Sequence, residues 1–347
     1  MNGNDGEAFP APPAGTPDEA PKETHDTQSP SEATPEGTTG EDLSQRRGER
    51  IRNRRKNMWQ WPLLVVLLIA VVWTFGALFS RHLFLYHPTS LTEEELMEMV
   101  AANPRWSVDV TSFTVAENAG DKPQERSAVG LIRYGAPNAP WVLYFGGNAQ
   151  SLANSRALLD SLLGDRPWGA AVWAYRGYDG TPGSPTERRL VADGLALART
   201  LMHRQSVEPK RLVIVGQSLG SGVATQVAKG LAAEGEPAGA LVLVSPFRSI
   251  PAVGNDHFFW PLGHTVPDKY DNMKHLPATE SPVMIVHGTD DDVIPYRHGK
   301  ALHEANTPRS EFVSVDGYGH NDVWSAPQLT NNVRQFIERH AYQREHE

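Results

Sequence analysis

Gly216-Gln217-Ser218-Leu219-Gly220 places a serine two residues from a glycine on either side. The apolar run LVIVG leads into it and the helix-forming GVATQVAKGLA follows, so the serine falls at a strand-to-helix junction. There the chain must turn sharply, small flanking residues permit the turn, and the hydroxyl is left exposed on a strained corner suited to nucleophilic attack. A glycine-rich turn with a capping serine is the plainer reading of the same five residues. A serine nucleophile needs a base to take its proton and an acid to orient that base. Two late loops offer both. Gly288-Thr289-Asp290-Asp291-Asp292-Val293-Ile294-Pro295 follows the run VMIVH, and Asp316-Gly317-Tyr318-Gly319-His320-Asn321-Asp322 follows Glu311–Val315. His320 on a glycine-rich loop fits poorly as a packed core histidine, and none of the other twelve histidines has a comparable setting. It is the expected base. Three consecutive aspartates compete for the acid: Asp291 is preferred, with Asp290 and Asp292 as alternatives, and a solvated loop or a cation site as the other readings.

Acyl transfer also needs two preorganised N–H donors for a developing oxyanion. One is the amide of Leu219, just after the serine at a helix N-terminus. The other is expected from Gly146-Gly147-Asn148-Ala149, after the run Trp141–Phe145. The Asn148 amide is favoured, with Gly147 and Ala149 as alternatives; a simple tight turn is the bland reading.

These loops need a frame. Strands are expected at Val108–Val115, Val129–Tyr134, Trp141–Phe145, Ala170–Ala174, Arg211–Val215, Ala240–Val244, Val283–His287 and Glu311–Val315. Helices are expected at Ser151–Leu163, Pro185–Arg204, Ser218–Ala233, Tyr296–Ala305 and Pro327–Ala341. The later strands are apolar on both faces, as in a parallel sheet covered by helices on each side. The first two, joined by the polar turn Gly120–Pro123, read as an antiparallel edge pair. The fold class is therefore α/β, a mostly parallel eight-stranded sheet.

The chain of 347 residues has no cysteine and a net charge of −9. Without thiols there is no disulfide, thiolate nucleophile, zinc-thiolate or iron–sulfur site. The charge is segregated. Residues 1–45 hold ten acidic side chains against Lys22, whereas residues 46–56 hold seven basic ones against Glu49. The acidic, proline-rich stretch 1–45 buries too little apolar surface to offset its ordering entropy and is expected to be disordered. Net negative charge argues against nucleic acid as a partner. After the basic segment 46–57, residues 58–80 carry no charge until Arg81, with the apolar centre LLVVLLIAVVWTFGALF and tryptophans at 59, 61 and 73. About 20 such residues span a ~30 Å hydrocarbon layer. One transmembrane helix is expected, with a core helix as the alternative; a cleaved signal peptide is disfavoured by the 45 preceding residues. The basic residues before the span place the N-terminus in the cytoplasm and residues 83–347 outside the cell membrane.

Six stretches in order, YFGGNA, WAYRGYDGTPGSPTE, GQSLGSG, SPFRS, HGTDDDVIP and GYGHND, resemble successive motifs of the α/β-hydrolase superfamily. The nearest likeness is to membrane-associated serine hydrolases that include protein depalmitoylases, and to serine-aminopeptidase-like domains. It covers about residues 83–341. The resemblance implies the α/β-hydrolase fold, Ser218 as nucleophile, His320 as base, and Asp291 as acid, four places after the histidine of H-G-x-x-D. No cofactor or metal is expected. Such proteins usually open the oxyanion loop with His-Gly, where this chain has Gly146-Gly147; activity is expected to survive, with the loop's rigidity in question. Arg176 and Tyr178 match the family's Y-R-G-Y loop and are expected to brace the site, and Asp193 matches a structural helix aspartate. A short insertion at about 247–275 contains His257-Phe258-Phe259-Trp260-Pro261, read either as an aromatic flap or as ordinary packing. The expected activity is hydrolysis of an ester or thioester, on a small-molecule or lipid-like acyl substrate, through an acyl-enzyme. A peptidase, and a noncatalytic tethered binding or scaffold protein whose acidic tail has its own partner, are the alternatives.

Overall fold

The computed structural model describes residues 40–80, 85–118, 120–257 and 266–342. Helix α1 (Gly40–Ser80) begins within the stretch expected to be disordered; residues 1–39 of that stretch lie outside the described residues. The basic segment and the expected span both lie on α1, which contains Pro62. The side chains of 53–59 and 73–80 are outside the description. Among the described residues, no helix is long and apolar enough to cross a membrane. The described side chains of the expected span, residues 60–72, are all exposed.

Helix α2 (Glu93–Ala101) starts with a capping box, in which Thr92 and Glu95 satisfy each other's backbone amides. Strands β1 (Ser107–Val115) and β2 (Gln124–Arg133) pair antiparallel, as the polar turn between them predicts. There follow β3 (Trp141–Phe145), α3 (Leu152–Leu163), β4 (Gly169–Trp173), α4 (Glu187–Gln205), β5 (Leu212–Gln217), α5 (Leu219–Ala233) and β6 (Ala240–Val244). Helices α6 (Ile250–His257) and α7 (Asn272–His275) lie in the insertion, and β7 (Val283–Gly288), α8 (Arg297–Asn306), β8 (Ser310–Val315) and α9 (Leu329–His340) close the chain. Helices α2, α6 and α7 are too short for a clear 3.6-residue pattern and were not expected from the sequence.

The eight strands form one sheet in the order β1-β2-β4-β3-β5-β6-β7-β8. From β4 to β8 all neighbours are parallel, and β2 is antiparallel to both of its neighbours. The apolar runs are apolar on both faces because two cores need them. Leu143, Phe145, Ile214, Leu241 and Ile285 pack with α4 and α5 residues such as Leu197 and Val227. Their neighbours Val142, Tyr144, Val213, Val242 and Met284 pack with α3 and α9 residues such as Leu159 and Phe336. The register aligns Phe145 with Gly216, Gln217 with Val244, and Gly288 with Val315. The carboxyl ends of β3, β5, β7 and β8 thus finish along one edge, where α/β sheets bind ligands.

Candidate active site

Ser218 sits between the last residue of β5 and the first of α5 with φ 51° and ψ −120°. This is a sparsely populated backbone region for a residue with a Cβ, and such strain persists only where the surroundings impose it. Two things impose it here. The Ser218 amide donates to the Val244 carbonyl at 3.0 Å, extending the β5–β6 pairing through the turn. The flanking glycines permit a close approach: a Cβ on Gly220 would run into the Phe145 carbonyl oxygen, and one on Gly216 would stand 2.5 Å from the Gly220 oxygen.

The Ser218 Oγ lies 2.9 Å from His320 Nε2, and His320 Nδ1 lies 2.8 Å from Asp291 Oδ2. Of the three consecutive aspartates, only the middle one meets the histidine: Asp291 is buried, and Asp290 and Asp292 are exposed. The tight turn after β7 also aims the Val293 and Ile294 amides at Asp291 Oδ1, at 3.0 and 2.7 Å. His287 is fully buried, with Nε2 2.7 Å from the Ile294 carbonyl and 3.3 Å from Asp291 Oδ2. Burial by itself would raise the Asp291 pKa. Hydrogen bonds from His287, His320 and the Ile294 amide, with the charge His320 can carry, outweigh it and hold the carboxyl well below its ordinary range. The site therefore keeps a carboxylate beside the imidazole, which fixes the Nδ1–H tautomer and leaves Nε2 free to take the serine proton. His287 was used in the sequence only to count to Asp291; its contact with the carboxylate was not anticipated.

Opposite the histidine, the loop after β3 packs against the serine, with the Gly147 Cβ position 3.4 Å from Ser218 Cβ. The Gly147 amide donates to Gln150 Oε1 at 2.7 Å, and the Ala149 amide to Asn148 Oδ1 at 3.0 Å. The Asn148 amide, lying between two committed ones, has no acceptor among the described residues. Loop rigidity, in question at Gly146-Gly147, comes from elsewhere. Tyr175 Oη donates to the Gly146 carbonyl at 2.9 Å, and Tyr144 Oη lies 2.8 Å from Gln217 Oε1 and 3.1 Å from Gln150 Oε1, its one proton shared between the two acceptors. Burial raises the pKa of both phenols, keeping them protonated as donors. Trp324 Nε1 also donates to Gln217 Oε1, at 3.1 Å. None of these supports was predicted; aromatic residues in strands signal packing, and hydroxyl partners depend on the fold.

Ser218 and His320 open into a cleft of about 540 Å³, lined also by Asn148, Leu158, Val293 and Trp324. Among the described lining residues, His320 is the one with a titratable side chain. Arg176 lies outside this lining, clamped on Asp193 at 2.6 and 2.7 Å and on Glu117 at 2.5 Å. Tyr178 reaches the loop directly, its hydroxyl 3.1 Å from Asn148 Oδ1. Residues 258–265, with the aromatics of the expected flap, lie outside the described residues. Among the described residues, no group of three or more His, Asp or Glu is placed to hold a metal ion.

A family model described as the prolyl oligopeptidase family matches residues 185–341. The chain is 37% identical over 203 residues to an uncharacterised protein of Mycobacterium tuberculosis, covering 58% of this chain and 70% of that one. It is 34% identical over 208 residues to alpha/beta hydrolase domain-containing protein 17B of Homo sapiens, covering 58% and 68%. A lysophosphatidylserine lipase of Danio rerio is 30% identical over 226 residues, but only 58% of its length is matched, by 57% of this chain. Among solved structures, an esterase of Pyrococcus furiosus superposes with a TM-score of 0.56 at 16% identity, covering 74% of this chain and 97% of that one. That last likeness is one of fold.

Proposed function

The chain belongs to the α/β-hydrolase superfamily and is a serine hydrolase, and from that premise we propose that it cleaves a carboxylic ester or thioester through an acyl-enzyme on Ser218. The observation that carries this reading is the continuous run from Asp291 through His320 to Ser218, with contacts of 2.8 and 2.9 Å, at the mouth of the cleft. As Oγ attacks the acyl carbon, His320 Nε2 takes its proton, and Asp291 stabilises the imidazolium that forms. The Leu219 and Asn148 amides receive the charge that develops on the acyl oxygen. Collapse breaks the bond to the alcohol or thiol, which leaves with the proton from His320. A water deprotonated by His320 then attacks the acyl-enzyme, and the carboxylic acid departs as Ser218 recovers its proton.

An acyl group carried on a lipid-like molecule suits the cleft, whose Leu158, Val293 and Trp324 offer apolar contact. The lipase name of the Danio rerio relative leans the same way. The family-model match supports a second reading, a peptidase acting through the same residues. Against it, the described lining offers no carboxylate to receive a peptide's free amino terminus. We place the domain outside the cell membrane on a single anchor, residues 58–80, with the N-terminus cytoplasmic. The basic segment before it and the exposed leucines and valines of 63–72 support this placement.

A fluorophosphonate probe should label the intact protein and fail to label Ser218→Ala; equal labelling of the two would sink the assignment. Activity against a p-nitrophenyl ester above that against an aminoacyl amide separates the two enzyme readings. Protease added to spheroplasts should digest the hydrolase domain, and its full protection would reverse the orientation.

A further inference from the structure

We infer that His87 is a positioning residue for the reaction, holding the loop whose Asn148 amide faces the oxyanion. The inference rests on the reading of that amide as an oxyanion donor. It starts from the Asn148 side chain. Its Oδ1 accepts from the His87 amide at 2.8 Å, the Ala149 amide at 3.0 Å and the Tyr178 hydroxyl at 3.1 Å. Two backbone N–H groups on one atom fix which end of the carboxamide is oxygen. The Nδ2 end then faces His87 Nδ1 at 2.6 Å. Nδ2 can only donate, so Nδ1 carries no proton, and the neutral ring has its hydrogen on Nε2. His87 thus grips Asn148 twice, accepting through its ring and donating through its backbone.

The grip has a fixed base. Tyr86, next in the chain, is buried, with its hydroxyl 3.1 Å from Asp268 Oδ2 and 3.0 Å from the Tyr270 hydroxyl. Leu85 is buried as well. The loop needs such a grip. Ala149 is held at φ 57°, in the left-handed region, and the two residues before Asn148 are glycines with no side chain to pin them. A clamp reaching across 61 positions supplies what the loop's own sequence lacks. It acts on the residue whose amide would meet the transition state, so its loss should lower turnover and spare ground-state binding.

The test uses the full-length protein hydrolysing p-nitrophenyl butyrate. Deleting an oxyanion donor outright costs about 10²–10³ in kcat, so displacing one through His87→Ala should cost about tenfold with KM within about twofold. His87→Asn, whose Oδ1 can stand in for Nδ1, should restore kcat to within about threefold of the parent. His87 is exposed, so both variants should unfold at the parent's temperature. The clamp is overturned if His87→Ala turns over at the parent's rate, if the loss falls on KM, or if His87→Asn is as impaired as His87→Ala. Ser218→Ala is the separate arm: survival of its activity overturns the reading of the site itself. An inactive Ser218→Ala beside a fully active His87→Ala removes the clamp alone.

Discussion

His287 Nε2 stands 3.3 Å from Asp291 Oδ2, so the carboxylate facing His320 is approached by a second, wholly buried imidazole from β7, the strand just before it. Asp291 therefore has a partner on each side, and two backbone amides as well. Asp290 and Asp292 are exposed and do not touch His320.

Asp291→Asn should keep the fold but present an amide where His320 needs an acceptor for Nδ1–H. In a serine triad the equivalent change lowers kcat about 10⁴-fold, and a loss of that order is expected here. Asp290→Asn and Asp292→Asn should stay within about twofold of the parent. Steady-state ester hydrolysis by the three variants measures the contrast. A large loss at either neighbour would move the acid assignment.

The depressed Asp291 pKa has a consequence for stability. A carboxyl held below its unfolded value near 3.8 binds fewer protons in the folded state, so its contribution is fully present above that value. It is lost as pH falls through the lower folded value. The stability difference between the parent and Asp291→Asn should narrow progressively as the pH falls below about 4. Urea unfolding at a series of pH values reads it, and a difference that widens on acidification would contradict the geometry.

Gly220 leaves no room for a side chain. The added methyl of Gly220→Ala meets the Phe145 carbonyl oxygen, and the Gly146 oxygen is 2.6 Å away. Both belong to backbone at the oxyanion loop, which would have to move. A cost of about 3 kcal/mol or more is expected, with loss of fluorophosphonate labelling in whatever protein still folds. Unchanged stability and labelling would mean that the loop yields freely.

Arg176 ties β4's following loop to Asp193 on α4 and to Glu117 after β1. Removing one partner of a buried ion pair costs about 3–5 kcal/mol, because the remaining charge is stranded. Arg176→Ala should lower the melting temperature by about 10 °C while leaving the KM of the folded fraction near the parent's. A selective rise in KM would instead put Arg176 in contact with substrate.

Much of this was legible in the chain. A continuous apolar run and a helix-forming stretch are local properties, so Val283–Gly288 and Leu219–Ala233 could be read within a residue or two. G-x-S-x-G and the late-loop histidine carry their chemistry in residue type and spacing, which single out Ser218 and His320. The outcome among Asp290, Asp291 and Asp292 was different: adjacent identical residues carry no pattern, and burial at one position separates them. The partners of Asn148 were also beyond the sequence. His87 lies 61 positions before it and Tyr178 lies 30 after it, and neither distance has a periodic signature. By itself the sequence determined which elements form and which residue types could react. The tertiary structure decided which of them meet, because hydrogen-bond partners across the sheet depend on strand order and register, which act between segments far apart in the chain.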